Sequence, residues 1–200
     1  EREVRCEGGE SLALKFVTTN ENKFREAALI AREFGVELEW EKRSYTEIQA
    51  DSLEEIVRFG VEEVCREIGV PCFAEDAGLF IDVLRGFPGP YSKFVFLTIG
   101  NRGILKLMEG MENRLAEFRS AVAFCSPGGR PVVFSASVRG KITHEPRGTG
   151  GFGFDPIFEV NGRTFAEMST REKNLLSHRG AAIRKFLLWF KGERGQDIGR

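Results

Sequence analysis

Four short segments group charged, polar or aromatic residues of the kinds that bind ligands or catalyse reactions. Thr18-Thr19-Asn20-Glu21-Asn22-Lys23 follows a short apolar run and precedes a helical pattern. At such a strand-to-helix junction, free backbone N–H groups and the helix dipole favour phosphate. Lys23 adds a point charge in the first turn. Taken alone, the same residues are an ordinary helix cap at Asn20 with a surface lysine. Glu75-Asp76-Ala77-Gly78-Leu79 sets two adjacent carboxylates inside the apolar stretch Val70 to Leu84. Charges in such a strand need a partner, because desolvation is costly. Neighbouring strand residues point to opposite faces, so one of the two acids is expected to face a given cleft. Glu47 offers a further acid just before the second helix. Carboxylates without histidine suit Mg²⁺, which also takes substrate phosphate oxygens as ligands. Taken singly, Glu47 is an exposed loop residue.

The third segment is Gly148-Thr149-Gly150-Gly151-Phe152-Gly153-Phe154-Asp155-Pro156. It contains G-x-G-x-x-G, but the dinucleotide fingerprint must open a helix, and here Asp155-Pro156 follows with no helical pattern. The nicotinamide reading is therefore rejected. Phe152 and Phe154 could stack on a base while Asp155 accepts its N–H protons. A tight turn with core phenylalanines is the plainer alternative. The fourth segment, Lys173-Asn174-Leu175-Leu176-Ser177-His178-Arg179, groups donors that could bind phosphate and a purine carbonyl. Its alternative is a solvated helix face.

The elements that must position these residues follow from pattern and punctuation. Ala13 to Thr18 reads as a buried strand and Glu21 to Phe34 as a helix ended by Gly35. Val36 to Trp40 alternates as a strand. Ser52 to Glu55 is a capping box opening a second helix that Gly69 closes. Cys72 to Leu84 is strand-like with a bend at Gly78, and Pro88-Gly89-Pro90 is a turn. Tyr91 to Glu109 is helical with an interruption near Gly100. Phe118 to Phe124 and Val132 to Val138 form a hairpin around Pro127-Gly128-Gly129. A second capping box, Ser169 to Glu172, opens one final helix, with Gly180 loosening it. Alternation of strands and helices around a β-rich stretch gives an α/β fold with a mixed sheet.

Composition narrows the classes. The chain has 200 residues and a formal net charge of −1, which argues against binding nucleic acid through bulk positive charge. No apolar run spans a membrane, and residues 1 to 10 read as a leader or tag ahead of a single catalytic domain over 11–194, with a tail at 195–200. A cytoplasmic address is the default expectation. Cys6, Cys65, Cys72 and Cys125 form no C-x-x-C pair and only two histidines exist, so buried free thiols are expected and a zinc site is not.

In order and spacing, the segments resemble the inosine-triphosphate pyrophosphatase family from Leu14 to about Phe190. The match includes Thr18 to Lys23, Glu75 to Leu79, Phe87 to Lys93, Gly151 to Phe158, Phe165 to Met168 and Ser177 to Arg179. Thr98 to Asn101, with Gly103 to Leu107, looks like archaeal members. The resemblance implies an elongated mixed β-sheet flanked by helices in two lobes, with a central cleft. It implies a homodimer and hydrolysis of ITP, dITP and XTP to monophosphate and pyrophosphate. Carried across, Glu47 and Asp76 would hold Mg²⁺, and Asp76 would accept the proton of the attacking water. Thr18, Asn20, Lys23 and Lys173 would hold the triphosphate, with Thr19, Ala77 and Lys93 beside the substrate. Phe152 and Phe154 would flank the base around Gly153, and Asp155, Ser177, His178 and Arg179 would line or read its edge. Thr19 stands where glycine is common, Ala77 where Ser or Thr is usual, and Phe154 where Tyr or Trp is frequent. None of these changes removes an acid or a lysine. A Maf-like pyrophosphatase and a nucleotide-binding module without turnover are the competing readings.

Overall fold

The computed structural model describes residues 14–197, with side chains to Gly192. The leader-like residues 1–10 and Cys6 lie outside these, as do 198–200. Seven strands form one mixed sheet in the order β2-β1-β3-β4-β5-β6-β7. The first three, β1 (Leu14–Val17), β2 (Leu38–Glu41) and β3 (Cys72–Ile81), run parallel. Their crossovers are α1 (Glu21–Glu33) and α2 (Leu53–Ile68). The rest, β4 (Leu115–Cys125), β5 (Val132–Ile142), β6 (Phe158–Val160) and β7 (Arg163–Thr164), are antiparallel.

Local chemistry explains the helix ends. Asn20 Oδ1 accepts from the N–H groups of Asn22 and Lys23, starting α1, and Gly35 follows its end at φ 67°. Ser52 accepts from Glu55 N–H at the start of α2, and Gly69 closes it in the left-handed conformation. Leu53, Ile56, Val57, Val61 and Val64 form the buried stripe of α2.

The buried side chains fall into three clusters, and β3 and β4 pass through all of them. Phe73, Val122 and Phe124 pack with β1, α1 and the C-terminal helix. Cys72, Ala74, Ala121, Ala123 and Cys125 pack under α2 on the opposite sheet face. Further along the same strands, Leu79, Ile81, Ala116 and Phe118 enter a core that includes Phe158 and Phe165. Glu75-Asp76-Ala77-Gly78 spans the gap between the cores. Glu75 is buried there and tolerated because Lys23 and Arg179 pair with it, while Asp76 borders the cleft. Cys65, Cys72 and Cys125 are free buried thiols, as expected.

Two expectations need correction. Gly78 does not bend β3, which continues to Ile81. A Cβ at Gly78 would lie 2.4 Å from Gly89 O, so the glycine admits the Phe87–Pro90 turn against the strand. The segment 91–109 is two helices, α3 (Ser92–Thr98) and α4 (Gly100–Leu107), broken at Gly100 with φ 60°, as anticipated. The final helix, however, breaks at Ser177 and not at Gly180. The resulting pieces are α5 (Thr170–Leu176), opened by the Ser169/Glu172 capping box, and α6 (His178–Asp197). Ser177 has extended backbone, and its Oγ accepts from Gly180 N–H at 3.0 Å, which caps α6. Gly180 lets α5 press on α6, since a Cβ would meet Asn174 O at 2.0 Å. The described part of α6 extends to Asp197.

Candidate active site

A cleft of about 580 Å³ opens across the middle of the sheet. It brings together Thr18, Thr19, Asn20, Lys23, Glu47, Asp76, Ala77, Lys93, Phe152, Gly153, Phe154, Asp155, His178 and Arg179. Lys173 and Ser177 stand behind its wall.

One end is built for phosphate. The 18–23 turn leaves β1 and enters α1 with its N-terminus at the cleft. Asn20 N–H donates to Thr18 Oγ1 at 3.1 Å, and Trp40 Nε1 donates to Thr18 O at 2.7 Å, so the turn is fixed from both sides. Lys23 Nζ lies 2.9 Å from Glu75 Oε2 and 4.0 Å from Asp76 Oδ1, and donates to Glu75 O at 3.2 Å. Both strand acids thus reach one ammonium, the Glu75 side chain fully buried and that of Asp76 partly exposed. Glu47 stands opposite on an exposed loop, paired to Lys93 Nζ at 3.1 Å. Tyr45, packed where Gly60 leaves room on α2, carries that loop.

The electrostatics set these acids apart. Burial pushes the Asp76 carboxyl up to about 6; Lys23 opposes this, and the Glu75 and Glu47 charges add to it. Burial also opposes ionisation of Glu75, but Arg179 and Lys23 outweigh it and hold that carboxyl well below the carboxylate range. Glu75 is therefore a fixed anion and Asp76 a group near its titration point, a condition suited to a general base. Tyr45 is held well above its usual range by burial and by the Asp76, Glu75 and Glu47 charges. Asp76 and Glu47 line the same cleft, and Glu47 is one of the charges that raise the Asp76 pKa.

The other end is aromatic and donor-rich. The Phe152 ring is partly exposed at the cleft, with Lys173 Nζ 4.5 Å and Arg179 Cζ 5.2 Å from its centroid. Phe154 lines the cleft but is mostly sunk into the core, edge-on to Phe96 at 5.4 Å. Asp155 Oδ2 accepts from Phe152 N–H at 2.8 Å, folding the loop back on itself. Gly151 permits this, because a Cβ there would strike that oxygen at 2.1 Å. His178 stacks on Phe118 with centroids 4.6 Å apart. Burial, then Arg179, depresses its pKa well below the usual value, so the imidazole is neutral at pH 7.

The cluster at 173–179 is not a solvated face. Lys173, Ser177, His178 and Arg179 are all buried. Lys173 Nζ sits 2.7 Å from Glu26 Oε1 and 2.6 Å from Asp155 Oδ2, not toward the 18–23 turn. Arg179 Nη1 meets Glu26 Oε2 at 2.7 Å. Glu26, the hub of this arrangement, escaped the sequence reading. Its signal was present: Lys23, Glu26, Ala27 and Ile30 have the spacing of one helix face, and three of these four are buried. Ser120, whose hydroxyl donates to Glu75 Oε1 at 2.6 Å, had no such signal.

The model of the Ham1 family matches residues 14–189. A protein of Methanopyrus kandleri named dITP/XTP pyrophosphatase is 52% identical over 178 residues, covering 88% of this chain and 95% of that one. One of the same name from Thermococcus kodakarensis is 50% identical, covering 90% and 98%. Among solved structures, a HAM1 protein from Coxiella burnetii superposes with a TM-score of 0.79 at 26% identity, covering 90% of this chain and 99% of the other. Cleft, fold and sequence agree across nearly the whole described length: the chain belongs to the Ham1 family.

Proposed function

We infer that this chain hydrolyses deaminated purine nucleoside triphosphates, dITP, ITP and XTP, to the monophosphate and pyrophosphate. The observation that carries the reading is one cleft with a lysine and paired acids at one end and an aromatic, donor-lined pocket at the other. A triphosphate nucleotide needs both. The half-identical relatives named for this activity support the same reading.

Mg²⁺ fits the donor set. It binds through one or two carboxylates, substrate phosphates and water. Glu47 and Asp76 supply two carboxylates lining the same cleft, and the Glu75 and Glu47 charges that raise the Asp76 pKa favour a cation there. Among the described residues no ready-made cluster of three or more metal-binding side chains occurs, so substrate oxygens and water would complete the shell. When bound, the metal would neutralise phosphate charge and help orient a water. The protein's own groups do the remaining work. Asp76 takes the proton of the attacking water, and Lys23 offsets charge at the phosphates with Thr18 and Asn20. Lys93 exchanges its contact with Glu47 for the substrate. Lys173 serves the base loop through Asp155, not the triphosphate.

Base choice follows from hydrogen-bond polarity. Hypoxanthine and xanthine present O6 as acceptor and N1–H as donor, and adenine presents the reverse. Arg179 and the neutral His178 provide donors, so adenine would leave buried groups unpaired, a mismatch that discriminates strongly. Product identity tests the reaction class. IMP with pyrophosphate from ITP supports the reading; IDP with orthophosphate refutes it.

The same reading places the chain in the cytoplasm with its nucleotide pool, and as a homodimer. Phe94 and Leu97 on α3 are 68% and 73% exposed, beside half-exposed Tyr91 and Phe87, an apolar patch suited to a second copy. Sedimentation at micromolar concentration should give twice the 22.5 kDa chain mass, falling to the monomer in Leu97→Asp. A wild-type monomer would end the dimer proposal.

A further inference from the structure

An unbroken run of alternating charges joins the two ends of the cleft behind its wall. It begins at Asp76 and passes to Lys23 at 4.0 Å, Glu75 at 2.9 Å and Arg179 at 3.1 Å. It continues to Glu26 at 2.7 Å, Lys173 at 2.7 Å and Asp155 at 2.6 Å. The Phe152 N–H closes it at 2.8 Å. Every charged side chain from Glu75 to Asp155 is at most 5% exposed, so each depends on its neighbours for solvation.

Glu75 holds the middle of this run, and its contacts differ from the rest. The Arg179–Glu26, Lys173–Glu26 and Lys173–Asp155 pairs are aligned hydrogen bonds. Glu75 Oε2 and Arg179 Nε are buried but lack an aligned hydrogen bond, although each lies within ion-pair distance of its partner. Ser120 Oγ anchors the other side of the carboxylate at 2.6 Å. One anion therefore grips the phosphate-end lysine and the base-end arginine at once, through its two least directional contacts. Arg179 and Lys23 thus share one carboxylate, and Lys23 lies 2.9 Å from Glu75 and 4.0 Å from Asp76.

We propose that Glu75 is a positioning residue that couples recognition of the base to the reacting phosphate, so that base identity is read in kcat as well as in KM. It touches neither the base nor the reacting atoms. It acts through Arg179 and Lys23, and the proposal rests on the hydrolase reading above. A correct base edge settles Arg179, which leaves Lys23 correctly placed beside Asp76. A wrong edge displaces Arg179, and the misplacement reaches Lys23 through one shared carboxylate.

Steady-state kinetics of Glu75→Gln on ITP and ATP, with Mg²⁺ and with kcat and KM separated, test this. The wild type should discriminate partly in kcat. In the variant the kcat ratio of ITP to ATP should shrink about tenfold, within the range usual for coupled sites. The KM for ITP should change less than about threefold, because Arg179 still reaches the base, held by Glu26. Loss of scaffold alone would lower both kcat values by one factor. That outcome, or a wild type discriminating in KM alone, overturns the coupling while leaving the hydrolase reading intact. A wild type that releases no pyrophosphate overturns both. Should Glu75→Gln not fold, Ser120→Ala carries the test, since it frees one side of Glu75 without unpairing a buried charge. A compressed kcat ratio is again expected, and an unchanged ratio overturns the proposal.

Discussion

Asp76→Asn should lose activity by on the order of 10³-fold or more and yet melt at a higher temperature than the wild type. The activity loss follows from removing the group placed to take a proton, a contribution typically worth 10²–10⁴-fold. The stability gain follows from the direction of the Asp76 shift. Its carboxyl is pushed from 3.8 up to about 6, so the fold favours the protonated form. That favourable term is present at low pH and is lost as pH rises through about 6. At pH 7 the wild type bears an ionised group the site disfavours. The shift corresponds to roughly 3 kcal/mol at most, and the side chain's 19% exposure reduces this to about 1–2 kcal/mol. For a chain of this size the melting temperature should rise by roughly 2–8 °C at pH 7 in EDTA. The difference should shrink as pH falls through about 6 and vanish below 3.8, where Asp76 is neutral folded and unfolded. A variant that melts lower at pH 7 would show that Asp76 is structural.

Lys173→Met should have the largest effect on stability. The methionine fills most of the volume but leaves Glu26 and Asp155 facing each other without the ammonium that lies 2.7 and 2.6 Å from them. Breaking a buried pair by removing one partner costs about 3–5 kcal/mol. The Glu26 carboxyl, held below its usual range by Arg179 and Lys173 against the pull of burial, would ionise less readily. Denaturant unfolding at pH 7 checks this. A loss under about 1 kcal/mol would mean that Arg179 alone compensates both acids.

What the sequence disclosed and what it hid have physical reasons. Asn20, the Ser52/Gly69 pair and the Ser169/Glu172 box are local devices, so the starts of α1, α2 and α5 could be read directly. The Ser177 break could not, because Leu175, Leu176 and Ile183 continue an apolar pattern on both sides and serine is compatible with a helix. The 173–179 charges looked solvated because their partner, Glu26, is 147 residues from Lys173. Sequence spacing cannot report a long-range ion pair. The two strand acids reach one ammonium because Lys23 crosses from α1 to β3, a contact that strand alternation does not reveal. Gly78 read as a bend because its true constraint, the Gly89 carbonyl, is imposed by another segment. The resemblance assigned Lys173 to the triphosphate, and its ammonium lies between Glu26 and Asp155, a placement that spacing along the chain does not reveal.

One assay decides the chemistry: pyrophosphate release from ITP, XTP, dITP, GTP and ATP, each with Mg²⁺ and with EDTA. Rapid release is expected from ITP, XTP and dITP with Mg²⁺, little from ATP and GTP, and none with EDTA. Equal rates on ATP and ITP would contradict the assigned base recognition. No release from any of the five would contradict the hydrolase itself.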